Sequence, residues 1–321
     1  NVEVCVEGRP RDPIALARFV VSARAKIAAA KPDVVLTFQH YGNVLGAPLA
    51  HLAGVHRVIA NQVSASDVVA PMLRLADRLF GRVGLYDRIT VNSEDTRKLY
   101  ENHPARYRER IVSIPHGFER KHGGLGKAAA RARFALPAEA QLIGCAARLH
   151  PTKRLDLAIR LLPLMPGRHL ALAGQGADRE RLERLAADLG VGERVHFVGE
   201  LQPTAIGEFL SALDVFVFPT VAETFGLAAV EAAAAGLPVV ATDLPVLREV
   251  LEVDGRPAAI LVDTADTTAF AAAVDRVFTE PGLAAGLTAA GAGLARRFSL
   301  DAMVDAYARL IDEVATTRRA A

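Results

Sequence analysis

Short, unbroken apolar runs recur along the chain with longer Ala- and Leu-rich helical stretches between them, and this alternation limits the fold more than any other feature. Residues 34–38, 58–60 and 88–91 read as strands, and 15–29 and 47–52 as helices. A strand that is apolar along its whole length has both faces covered, as in parallel βαβ units. A second series follows, with strands at 142–147, 170–173, 195–198, 215–218 and 239–241 and helices at 153–164 and 179–189. Between the two series, residues 116–137 hold Gly117, Gly123, Gly124 and Gly126 among Arg and Lys, and read as a linker running into a short helix. Residues 299–314 read as a closing helix with Ser299 as N-cap and Leu300, Met303, Val304, Tyr307, Leu310 and Ile311 as its apolar stripe.

At about 100–200 residues per domain, 321 residues predict two α/β domains of doubly wound parallel sheet. The expected division is 1–118, 119–298 and a terminal helix, 299–321, crossing back to the first domain. Two such domains place a crevice between them, and open α/β sheets bind ligands at the carboxyl ends of their strands. The pattern predicts a cleft enzyme or a hinged binding protein.

The chain begins with Asn rather than Met and runs directly into a strand-like 2–6, so it reads as a piece whose natural start lies upstream. Only Cys5 and Cys145 are present, which excludes a disulfide framework and fits a reducing, cytoplasmic setting. The longest apolar stretch, 225–242, is interrupted by Glu231, Gly236 and Pro238 and is not a membrane span. Residues 1–121 carry a net charge of +6 and the remainder −4. That excess is too small, and too poor in interleaved aromatics, for nucleic-acid binding. Arg74, Arg78 and Arg82 recur every four residues among Leu75, Leu79 and Phe80, a basic amphipathic helix that either rests on anionic lipid at the inner membrane face or simply presents a solvated face.

Two segments carry chemistry. In the first, residues 219–231, a strand ends at Pro219, a loop carries Glu223, and a helix starts near Gly226 with Glu231 about one turn in. The leading N–H groups of Phe225, Gly226 and Leu227 suit a phosphate, and two carboxylates flank it. Glu223 could instead cap the helix and Glu231 face solvent, but a carboxylate in the otherwise uncharged 227–237 stretch is costly without a partner. In the second segment, Arg148 and Lys153 lie five positions apart after a strand, placed to converge on a pyrophosphate or to sit in a solvated loop.

The Glu223…Glu231 pair, Arg148 with Lys153, Ile114-Pro115-His116-Gly117 and the closing Phe298-Ser299 resemble the family 4 retaining glycosyltransferases of GT-B architecture. The resemblance implies an NDP-sugar donor on the second domain, an acceptor on the first (a glycan, a lipid-linked or a small-molecule hydroxyl), retention of configuration, and neither cofactor nor obligatory metal. Carried over by position, Arg148 and Lys153 bind the diphosphate, and Glu223 and Thr224 lie at the transferred sugar. Phe225, Gly226 and Leu227 offer backbone N–H groups, Glu231 takes the ribose, and Phe197 and Val198 lie by the base; Glu223, Arg148 and Lys153 are the catalytic candidates.

Three departures stand out. The family's Gly-rich loop after its first strand is absent, Gln62 stands where a His is common, and His116-Gly117 replaces Asn-Gly. His40 and Gln62 are the acceptor-side candidates. Gly174-x-Gly176 is weak as a phosphate signature and reads as a tight turn. His51, His56, His103 and His196 lack metal-ligand spacing. A GT-B epimerase or phosphorylase, and a non-catalytic nucleotide-sugar-binding partner subunit, are the alternative functions.

Overall fold

The computed structural model describes residues 4–5, 12–63, 70–121 and 123–316, which form two units. One contains the residues up to Pro115 together with those from Met303 onward, and the other is His116–Ala302. The division therefore falls after Pro115 rather than after 118, and the last helix joins the first unit from Met303 rather than from 299. The expected strand at 2–6 lies almost wholly outside the described residues.

In the first unit, β1 (Val35–Phe38), β2 (Val58–Gln62), β3 (Arg88–Val91) and β4 (Ile111–Ser113) form a parallel sheet in that order. Successive side chains of a strand point to opposite faces. Val58 and Ala60 thus join one apolar cluster with Ala47, Ala50, Tyr86, Ile89 and Tyr107, while Ile59 joins another with Ile114, Leu310 and Val314 of the helix Leu300–Thr316. Asn61, on the Ile59 face, hydrogen-bonds Tyr307, and Arg88 pairs with Glu313. Ser299 accepts the Ala302 N–H at 3.1 Å, the capping bond its residue type predicts.

His40 lies just past the end of β1, in the first turn of the helix Gln39–Leu52. Gln39 takes the left-handed conformation (φ 64°) and turns the chain from β1 directly into that helix. Thr37 donates to Asn43 at 2.7 Å and Asn43 donates to the Asn61 carbonyl at 3.1 Å, tying strand to helix.

In the second unit, β5 (Gln141–Ala146), β6 (Arg168–Ala173), β7 (Val195–Gly199), β8 (Val215–Phe218), β9 (Val239–Thr242) and β12 (Ala259–Val262) form a parallel sheet in the order β12-β9-β8-β5-β6-β7. A small antiparallel pair, β10 (Glu252–Val253) and β11 (Arg256–Pro257), stands apart. The order reverses at β5, which has β6 on one side and β8 on the other, and such a switch point is where ligands bind. The predicted helix 153–164 is broken up: a 3-10 turn covers Pro151–Lys153, Arg154 is left-handed (φ 48°), and the α-helix is Leu155–Leu161.

Glycine replacements separate two packing situations in the first unit. A Cβ on Gly81 would lie 2.0 Å from Tyr107 Cδ2, whereas one on Gly42, inside the helix Gln39–Leu52, meets nothing within 4 Å. Gly81→Ala should therefore lose about 1–3 kcal/mol through overpacking, and Gly42→Ala should gain about 0.5–1 kcal/mol. Chemical denaturation of both variants checks the opposite signs.

Candidate functional site

At the switch point the ends of four strands are laced together. After β5 the chain continues alongside the turn that follows β6: Ala147 N–H donates to the Ala173 carbonyl and Leu149 N–H to the Gln175 carbonyl, both at 3.0 Å. Gly174 N–H in turn donates to the Gly199 carbonyl at 2.7 Å. This closeness requires the two glycines. A Cβ on Gly174 would lie 2.0 Å from the Ala147 oxygen and one on Gly176 2.2 Å from the Leu149 oxygen. The Gly-x-Gly is thus a close-approach turn.

Across the switch, the Thr152 carbonyl accepts Val221 N–H at 2.9 Å and Thr220 Oγ1 at 3.2 Å, clasping the loop after β5 to the loop after β8. Lys153 forms an ion pair with Glu223 directly beyond this clasp. Both side chains are mostly enclosed, 19% and 13% exposed, and the Lys153 ammonium lies 5.6 Å from the Phe218 ring centroid. Within β5, burial pushes the Cys145 thiol up to about 12, with Lys153 opposing and Glu223 adding.

Gly226 (φ 82°) caps the helix Leu227–Ala234, and its carbonyl accepts the N–H groups of Ala229 at 3.0 Å and Val230 at 3.2 Å. The amides of Phe225, Gly226 and Leu227 precede these first intrahelical donors. The Phe225 side chain is buried between the rings of His116 (5.3 Å) and Phe298 (5.1 Å). Burial holds the His116 imidazole below its ordinary value. Thr224 lies in the loop between Glu223 and this helix start.

Arg148 and Glu231 line one cavity of about 360 Å³, with Gly174, Gln175, Glu200, Leu201 and neighbouring alanines. Glu231 has the partner that its apolar surroundings demand: Lys121 Nζ lies 3.6 Å from its carboxylate. Burial raises the Glu231 carboxyl above its ordinary range and Lys121 pulls it back. The structure therefore joins the predicted residues in two sets, Lys153 with Glu223 and Arg148 with Glu231. Phe197 and Val198 are not among the residues lining this cavity. Register passes from Leu172↔Phe197 to Ala173↔Gly199, so Val198 is a bulge and Glu200 and Leu201 reach the cavity instead. Arg179 stacks over the Phe197 ring at 5.4 Å. Sequence reasoning missed Lys121, taken as linker, and Gln175, hidden in the glycine turn, which donates to Glu200.

In the first unit, Gln62 shares the inward face of Val58 and Ala60. It is fully buried, donating to Asp77 at 2.8 Å and to Tyr107 at 3.0 Å. Its amide N–H groups thus serve a core network, in place of the substrate hydrogen bond expected of an acceptor residue. Tyr107 and Tyr86 also donate to Asp77, at 2.8 Å and 3.0 Å. Burial pushes the Asp77 carboxyl up, and those bonds pull it back. His40 is buried, its Nδ1 unpartnered among the described residues; burial lowers its imidazole, Asp77 opposing and Arg74 adding. Among the described residues no group of three or more His, Cys, Asp or Glu could hold a metal ion, and no helix is long and apolar enough to cross a membrane.

Opposed cations and carboxylates thus gather at the switch point of a parallel sheet, where open α/β sheets bind their ligands. Residues 126–292 match the family described as "Glycosyl transferases group 1". The D-inositol 3-phosphate glycosyltransferase of Acidothermus cellulolyticus is 31% identical over 98% of this chain and 76% of its own length. The protein of the same name from Mycobacteroides abscessus is 32% identical over 85% of this chain, which spans 63% of that relative. Among solved structures, Anabaena HepE in complex with UDP-glucose superposes with a TM-score of 0.83 over 94% of this chain and 84% of its own, at 20% identity, showing the GT-B fold. The chain belongs to the group 1 glycosyl transferases, the family 4 type, and is a glycosyltransferase. The epimerase, phosphorylase and non-catalytic readings are not favoured by these likenesses.

Carbon-13 NMR should find the Glu231 carboxyl titrating above the ordinary glutamate range, and higher again in Lys121→Met, where the opposing charge is gone. Because the folded-state value is the raised one, the protonated form contributes stability below the unfolded value, and that contribution is lost as pH rises through the folded one. An unmoved midpoint in Lys121→Met would show that the 3.6 Å pair has no electrostatic consequence.

Proposed function

We propose that the chain transfers a sugar from a nucleoside diphosphate sugar, UDP-linked first among candidates, to an acceptor hydroxyl with retention of configuration. The observation that carries this reading is the switch-point arrangement: the Lys153–Glu223 pair clasped across β5 and β8, beside the cavity shared by Arg148 and Glu231. Arg148 and Lys153 grip the diphosphate, aided by the amides at Gly226. Glu231 accepts from the ribose hydroxyls, and Glu223 lies at the transferred sugar. As the bond from the sugar's anomeric carbon to the phosphate oxygen breaks, negative charge grows on that oxygen and the two cations stabilise it without a metal. The acceptor oxygen bonds to the same face of that carbon, and its proton passes to the departing phosphate. HepE has been solved with UDP-glucose, and the relatives are named for D-inositol 3-phosphate, so UDP-sugars and an inositol phosphate are the first donor and acceptor to test.

A thermal-shift screen of UDP-, GDP-, ADP- and TDP-sugars tests the donor. One that binds only the folded state raises the melting temperature, by RT ln(1 + [L]/Kd) in free energy. A flat response to all four would overturn the proposal. Lys153→Ala should lower kcat on the order of 10²-fold, with a smaller change in donor Kd; a weakened donor Kd with kcat unchanged would mean that Lys153 serves binding alone.

A further inference from the structure

The helix Pro71–Val83 is mounted the opposite way from an ordinary surface helix. Its fully buried positions are Asp77 and Gly81, one turn apart. Asp77 is held by Tyr86, Tyr107 and Gln62, and Gly81 is pressed against Tyr107 so closely that a Cβ would not fit. These contacts fix the rotation of the helix. The consequence is that Met72, Leu75, Leu79 and Val83 turn outward, 83%, 70%, 50% and 51% exposed. At 3.6 residues per turn these four lie along one stripe. Arg74, Arg78 and Arg82, all exposed, run along one flank of it. Arg106, also exposed, donates to the Val83 carbonyl at 3.4 Å and adds a cation at the helix end. The only acid of the helix is the buried Asp77, so its outward face is purely cationic and apolar.

We propose that this face docks the chain on an anionic lipid surface. A folded protein rarely leaves a contiguous apolar stripe in water, and a cationic flank without acids is complementary to phosphate headgroups. The helix, 13 residues long and so about 20 Å, lies flat in the interface, with the four apolar side chains among the upper acyl carbons and the guanidinium groups at headgroup level. The inference goes beyond the transferase reading and does not depend on it, since binding to vesicles is measured without donor or acceptor.

The test is co-sedimentation of the full chain with vesicles of phosphatidylcholine alone and of phosphatidylcholine mixed with phosphatidylglycerol. The chain should bind the mixed vesicles at least tenfold better, and raised salt should weaken that binding. The triple variant Arg74→Gln, Arg78→Gln, Arg82→Gln should lose the preference for the anionic lipid. Leu75→Gln with Leu79→Gln should lose binding to both vesicle types. All five positions are exposed, and unchanged circular dichroism melting confirms that the fold is intact. Binding to neither vesicle, or binding that the variants leave unchanged, overturns the proposal. So does a concentration-dependent dimer abolished by the leucine variants, which would assign the stripe to a second copy of the chain.

Discussion

Two backbone oxygens, those of Ala147 and Leu149, stand so near the turn at 174–176 that only glycine can face them, and the site depends on that closeness. It lets the hydrogen-bond ladder run past the ends of β5, β6 and β7, so that these strand ends act as one rigid edge. The Thr152 carbonyl then fastens the loop after β8 to the same edge. Arg148, Lys153 and Glu223 are all carried by segments held in this way. A side chain at either glycine would push the loop bearing both cations off the sheet.

Charge in this protein is kept in opposed sets. Lys153 faces Glu223, and Lys121 faces Glu231. Each pair is partly withdrawn from water, where removing one member leaves the other uncompensated at a cost well above that of losing a surface pair. The pairs therefore hold Glu231 at the cavity, and Lys153 with Glu223 at the loops after β5 and β8, in fixed positions.

Much of this was legible in the residues. Continuous apolar runs marked β1 to β3 and β5 to β9, and the Glu223, Gly226 and Glu231 spacing marked the helix entrance, because those features are set by local physics. What stayed hidden has physical reasons. Gly42 and Gly46 disguised the helix Gln39–Leu52, and Gly46 is small because a Cβ there would meet Thr37 at 2.8 Å. The bulge at Val198 leaves no trace in residue type, so the lining moved to Glu200 and Leu201. Gln62 points inward by parity with Val58 and Ala60, yet parity does not say which face of β2 meets Asp77. The period of the helix Pro71–Val83 was readable, but hydrophobicity alone would have buried Leu75 and Leu79 rather than an aspartate and a glycine.

Cys145 is buried within β5, within electrostatic reach of Lys153 and Glu223, and burial keeps its sulfur in the protonated form. Only the thiolate reacts readily with peroxides and electrophiles. Enclosure and the raised thiol together withhold the Cys145 sulfur from that chemistry in the folded protein.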